Sequence, residues 1–134
     1  MNPAEIVDTM MAKDYFSQWL GITILNIRKG YCKLSSVIRK EMLNGFGIAH
    51  GGITYSIADS ALAFASNSGG KKSVSIETSI SHIVSLKEGD EITAEAVCET
   101  ETEKLGHYKI TVSRGSETVA LFKGIVYKTS KNWD

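Results

Sequence analysis

Proline is all but missing from this sequence: Pro3 is the only one in 134 residues. No proline-rich linker divides the chain, and the one ring sits near the start of a helix-like segment, where proline is tolerated. Cysteine is scarce as well. Cys32 and Cys98 are far apart in the sequence and form no CxxC pair, so they read as reduced thiols in a reducing compartment. No Cys/His cluster has ligand spacing, so neither a metal nor any other cofactor is expected. There is no charge excess either, because 15 acidic residues offset 15 basic ones. Nucleic-acid binders usually carry a basic surplus, so no nucleic-acid partner is expected. No run approaches the ~20 apolar residues of a membrane span. The N-terminal segment has no charged start followed by an apolar run and does not read as a signal peptide. The expectation is one cytoplasmic domain over residues 1–134, with no membrane partner and a core that needs no disulfide.

What is present is a clear order of element types. Residues 5–13 read as a short amphipathic helix with Ile6, Met10 and Met11 facing inward, and residues 15–20 add a turn. Residues 22–27 and 31–38 are strand-like and meet at an Arg28-Lys29-Gly30 turn. Asn44, Gly45 and Gly47 mark residues 42–49 as a loop. From Gly51 to about Asn67 alanines and large apolar residues leave almost no polar face, which describes a buried helix of four to five turns. Asn67-Ser68-Gly69-Gly70 ends it. Residues 74–84, 91–101, 108–114 and 118–129 are rich in Val, Ile and Thr and read as four strands of an antiparallel meander. The tail 131–134 is expected to fray. A helix without a polar face needs a sheet around it. The predicted class is therefore α+β, a curved antiparallel sheet of about six strands wrapped around one long central helix.

The chemistry concentrates in Asn44-Gly45, then His50-Gly51-Gly52, then Asp59. Gly51 and Gly52 fall at the helix N-terminus, where backbone N–H groups lack partners and the dipole favours negative charge. Glycine also lets a ligand approach the backbone closely. Such a place suits an anion or an incipient oxyanion on a carbonyl. Asp59 is the one acid of the helix. Burial raises a carboxyl's pKa toward a value useful in a base. Gly51 and Asp59 lie eight residues apart, about 12 Å along the axis and roughly 80° around it. One carbonyl does not easily meet both in a single chain. A two-fold dimer with paired helices would bring each Gly51 to the other chain's Asp59.

The pattern Met42-Leu43-Asn44-Gly45, His50-Gly51-Gly52, Ala58-Asp59 and Asn67-Ser68 closely resembles that of the PaaI-like hotdog thioesterases of phenylacetate catabolism. Residues 118–124, Thr-Val-Ala-Leu-Phe-Lys-Gly, add to it. The resemblance implies a hotdog fold and hydrolysis of an acyl-coenzyme A thioester. It implies that Asp59 is general base or nucleophile and that the Gly51 N–H polarises the thioester carbonyl from the other subunit. Asn44 and His50 would orient substrate, water or thiolate, and Ser75 is the nearest match for a hydroxyl that contacts the acid. Gly52 would lie in the substrate site. Dimers, and tetramers made of two dimers, are implied as well. An aromatic, phenylacetyl-like acyl group is the first expectation, and no residue is assigned to the nucleotide of coenzyme A. Where relatives often have a Pro-Ala or Pro-Gly pair, this chain has Leu86-Lys87. The loop from Phe46 to Ala49 differs too, which bears on the acyl pocket.

Plainer roles stand beside these. Asp59 can be a structural carboxylate satisfied by Ser60 or Ser75. His50 can cap the helix and Asn44 can fix its loop. Strand alternation puts Ser75 on one face with Glu77, Ser79 and Ser81. Tyr55 and Phe64 read as core or interface. Arg28-Lys29 and Lys71-Lys72 read as solvated turns, and His82 and His107 show no partner and receive no role. The rival functions are a non-catalytic acyl-CoA-binding regulator, which needs no acid in the helix, and an enoyl-CoA hydratase, whose closely spaced Asp and His are missing.

Overall fold

A helix that is apolar on every side is stable only when other elements cover it, and this requirement organises the computed structural model, which describes residues 1–134. Helices α1 (Pro3–Met11) and α2 (Tyr15–Trp19) come first, then strands β1 (Thr23–Arg28) and β2 (Tyr31–Val37). The long helix α3 spans Gly51–Asn67, followed by β3 (Lys71–His82), β4 (Glu91–Glu101), β5 (Leu105–Arg114) and β6 (Glu117–Asn132). All six strands join one antiparallel sheet, and α3 packs on every one of them. This is the α+β hotdog arrangement. No helix is long and apolar enough to cross a membrane.

The register explains how the sheet feeds its core. Ile27, Cys32, Ala96, Ile110, Phe122 and Ile80 pair in succession across β1, β2, β4, β5, β6 and β3. Paired residues share a face, so this row forms one apolar stripe under α3. Phe64, Leu62, Ile57 and Ala61 of the helix are fully buried against it. Tyr55 packs edge-on against Phe122 with ring centres 5.1 Å apart, and its hydroxyl meets that of Thr78. Tyr55 and Phe64 are thus packing residues. The close approach of α3 to β6 depends on Gly124, because a Cβ there would collide with the Leu62 side chain.

Two expectations change and a third gains a residue. The four late strands are not a meander in sequence order, since the order is β1-β2-β4-β5-β6-β3. β3 pairs only with β6, and β2 takes the place beside β4. Val/Ile/Thr alternation specifies a strand but not its neighbour. The C-terminal tail is tied down: β6 reaches Asn132, Trp133 Nε1 donates to Asn67 Oδ1 at 3.0 Å, and the Trp133 N–H donates to the Gly70 carbonyl at 3.0 Å. In α1, Asn2 caps the Glu5 N–H at 2.9 Å and the buried pair is Ile6 and Val7, with Met10 and Met11 half-buried.

Gly124→Ala forces Leu62 off its position, an overpacking expected to cost about 1–3 kcal/mol. Urea unfolding with an unchanged m-value should register that loss, and a variant as stable as wild type would contradict the close approach.

Candidate active site

The start of α3 is built by the loop in front of it. Leu43 and Ala49 pair across that loop, and the Asn44 N–H donates to the Ile48 carbonyl at 2.8 Å. The Ala49 N–H donates to the Leu86 carbonyl and the His50 N–H to the Met42 carbonyl, both at 2.8 Å. Leu86 is buried and serves as an anchor for the loop. Asn44 Oδ1 accepts the Phe46 N–H at 2.9 Å, an Asx turn that leaves the amide nitrogen without a partner in the chain. Its loop-fixing role is real and does not use up the side chain.

His50 is the helix cap. Its Nδ1 accepts the Gly52 N–H at 2.9 Å. The Gly52 donor is therefore spent inside the chain, and the Gly51 N–H is the backbone donor left at the helix start. Gly51 opens on a cleft of about 210 Å³ lined by Asn44, Thr54, His82, Ile83 and Ser85 among others.

Asp59 lies two turns further along α3 and faces a different cleft, of about 260 Å³, lined by Leu62, Ala63, Ser66, Val74, Ser75 and Val126. The two clefts share no residue. Burial, and then the negative charge of Asp14, hold the Asp59 carboxyl above the ordinary carboxylate range. Neither Ser60 nor Ser75 satisfies it. The Ser60 hydroxyl is engaged with Ser17 Oγ at 2.8 Å, and Ser17 Oγ in turn donates to Asp14 Oδ2 at 2.7 Å. Ser75 lines the cleft without a hydrogen bond to the acid. A half-buried acid with no donor of its own matches a group kept for a reaction better than one kept for structure.

The face predicted for Ser75 needs correction. A bulge at Ile76 shifts the register, so Ser75 pairs with Val126 but Glu77 with Ile125. Consecutive residues of β6 point to opposite faces, and Ser75 is thereby turned to the Asp59 side while Glu77 points away. His107 pairs with Ile125 and stands on the outer face with Glu77. Lys29 and Lys71 converge with Lys128 on a third cleft of about 300 Å³ at the C-terminal end of α3, which touches the Asp59 cleft at Ser66.

Comparison with known proteins follows the same lines. Residues 46–121 match the model of the thioesterase superfamily. A protein of Archaeoglobus fulgidus is 36% identical over 129 residues, covering 96% of this chain and 84% of the relative. The acyl-coenzyme A thioesterase PaaI of Escherichia coli is 34% identical over 116 residues, covering 86% of this chain and 83% of the relative. The chain belongs to the thioesterase superfamily. The solved structure of the E. coli PaaI protein from the phenylacetic acid degradation operon superposes on this thioesterase with a TM-score of 0.94 at 30% identity, covering 97% of this chain and 95% of the other. A mutant of the phenylacetic acid degradation protein PaaI from Thermus thermophilus gives 0.84 at 32% identity, covering 87% and 100%.

Two residues of this thioester hydrolase were passed over in the sequence. His82, 31 residues after Gly51, ends β3 directly above that glycine. Asp14 caps α2 through the Ser17 N–H at 2.9 Å and puts a second negative charge near Asp59. Only the Asp14-x-x-Ser17 capping pattern was available as a signal, and it points to a helix start rather than to a site.

Two outcomes follow from the raised Asp59 carboxyl. Asp59 holds its proton more tightly folded than unfolded, so its favourable contribution exists at low pH and is lost as pH rises through the folded-state value. Asp59→Asn should melt a few degrees above wild type at pH 7, with the gap closing below about pH 3.5. Equal melting at pH 7 would deny the burial cost. Asp14→Asn keeps a good cap but removes the charge. Turnover that needs ionised Asp59 should then keep its acid limb but reach its midpoint at lower pH, and an unmoved limb would separate Asp14 from Asp59.

Proposed function

We propose that the enzyme hydrolyses an acyl-CoA, with an aromatic, phenylacetyl-like acyl group as the first candidate, to the carboxylic acid and free coenzyme A. The observation that carries the mechanism is the placement of Asp59, an unpartnered acid in an apolar helix, in a different cleft from the free Gly51 N–H. Asp59 activates water, or attacks the carbonyl itself, and the Gly51 N–H of the partner subunit holds the developing oxyanion. Asn44 orients the substrate through its free amide, while His50 keeps the helix N-terminus in shape. The E. coli relative's name and operon support the substrate class. Gly52, next to Gly51 in the helix, has no N–H to offer a substrate, because His50 takes it up.

One of the two free edges of the sheet supports a homodimer. β3 pairs on one side only, and Val74 and Ile76 on it are 58% and 60% exposed. A long edge strand with exposed apolar side chains is a template for another strand. The Asp59 cleft uses the beginning of this strand and the Gly51 cleft uses its end. Antiparallel pairing of two β3 strands about their middle would bring the beginning of one strand toward the end of the other, and with them the two clefts together into one site, twice per dimer. Further pairing of dimers into tetramers is in keeping with the family resemblance.

Release of free thiol from a panel of acyl-CoAs tests the reading. Wild type should turn over, and Asp59→Asn should fall by roughly 10²–10⁴-fold. Tight acyl-CoA binding with no wild-type turnover would mark a binding protein instead. Gly51→Pro removes the N–H at a helix position where proline is tolerated. Mixed with Asp59→Asn under subunit exchange, it should restore about a quarter of wild-type activity, since half the dimers are mixed and each has one intact site. No recovery despite proven exchange would place both groups in one chain's site.

A further inference from the structure

His82 has no place in the mechanism so far, yet it stands against the one free backbone donor of the site. A Cβ built on Gly51 would lie 3.2 Å from His82 Nε2 and 3.4 Å from Cε1. The imidazole therefore covers the face of Gly51 from which a side chain would grow. It lines the same cleft as Asn44, Gly51 and Thr54. Its backbone is fixed by the register of the sheet, which sets His82 opposite Ala120 at the end of β3. The ring itself is exposed and holds no hydrogen bond within the chain, so both nitrogens are free for a ligand.

The distances allow a shared ligand atom. Backbone geometry puts N and Cβ of one residue ~2.4 Å apart. The Gly51 nitrogen and His82 Nε2 are then at most about 5.6 Å apart, given the 3.2 Å contact. One oxygen at ~2.9 Å from each nitrogen spans up to ~5.8 Å. The two nitrogens are thus close enough for one carbonyl oxygen to lie between them.

We infer that His82 is a further catalytic residue of this enzyme, whose Nε2–H donates the second hydrogen bond to the thioester carbonyl oxygen held at the Gly51 N–H. The inference rests on the thioesterase reading of that site. Water adds to the carbonyl carbon and gives its proton to the Asp59 carboxylate, while the C=O π pair moves onto oxygen. The resulting oxyanion is held by two donors from one subunit, Gly51 N–H and His82 Nε2–H. On collapse the carbonyl re-forms, the C–S bond breaks and its electron pair leaves on sulfur. His82 keeps its proton throughout. A donor that gains strength as charge develops lowers the barrier rather than the substrate's dissociation constant, so its effect belongs in kcat.

The test compares wild type, His82→Phe and His82→Gln in thiol release from phenylacetyl-CoA and from an aryl thioester of the same acid. His82→Phe should lose roughly 10²-fold in kcat with KM within about threefold of wild type. His82→Gln, which keeps an N–H, should recover at least about tenfold of that loss. The loss should be the same for the alkyl and aryl thiol leaving groups. Undiminished kcat in His82→Phe beside an active wild type would overturn the assignment. So would a loss confined to KM, or equal losses in both variants. A loss that vanishes with the aryl thiol would assign His82 to protonating the thiolate and overturn it as well. A wild type inactive on every thioester would instead remove the thioesterase reading, and this inference with it.

Discussion

The apolar surface of α3 runs around nearly its whole circumference, and water must be kept from all of it. A single sheet does this by carrying one apolar row, from Ile27 through Phe122 to Ile80, under the helix. The fit leaves no room for a side chain at Gly124, where Leu62 fills the space. Both ends of the helix are then pinned. Asn67 bonds the start of β3 and Trp133, and Ser68 bonds the β1–β2 turn through the Arg28 carbonyl at 2.9 Å. At the other end His50 caps the first turn. A helix held this firmly can present a backbone N–H and a carboxyl at fixed places, as transition-state stabilisation requires.

The same covering that stabilises the helix is unfavourable to Asp59. A carboxylate inside an apolar helix loses hydration, and no hydroxyl in the chain replaces it. Asp14 adds to the strain, although the Ser17–Ser60 hydroxyl pair keeps its own charge partly occupied. The acid is held at the edge of the sheet, where β3 has only one neighbour. The open outer edge of β3, the unpartnered acid and the unpaired Gly51 N–H are three incomplete features. The proposed pairing with a second copy of the chain would complete all three at once.

Much of the site was legible before the fold. His50-Gly51-Gly52 at a helix start, an acid two turns on and a loop with Asn44 are local patterns, and helix periodicity converts their spacing into distance. Asp59 stood out because an acid in an apolar helix contradicts its surroundings. Ser75 was found on the right strand but its facing was hidden, because a single extra residue at Ile76 reverses strand alternation and nothing in the side chains announces it. His82 was passed over for a different reason. Its significance lies in contact with Gly51, 31 positions away, and a histidine at a strand end looks like any other.

By itself, the amino-acid order determined what short-range physics can write: which segments are helix or strand, that α3 must be buried, and where a free backbone N–H and an acid lie along it. Tertiary structure alone decided which strands are neighbours. It put β3 on the outer edge beside β6, tied the C-terminal tail to the helix end, set His82 over Gly51 and brought Asp14 near Asp59. Each of these joins residues far apart in the chain. A hydrophobic pattern records that a face is buried, whereas the identity of what buries it is settled only when the whole core closes.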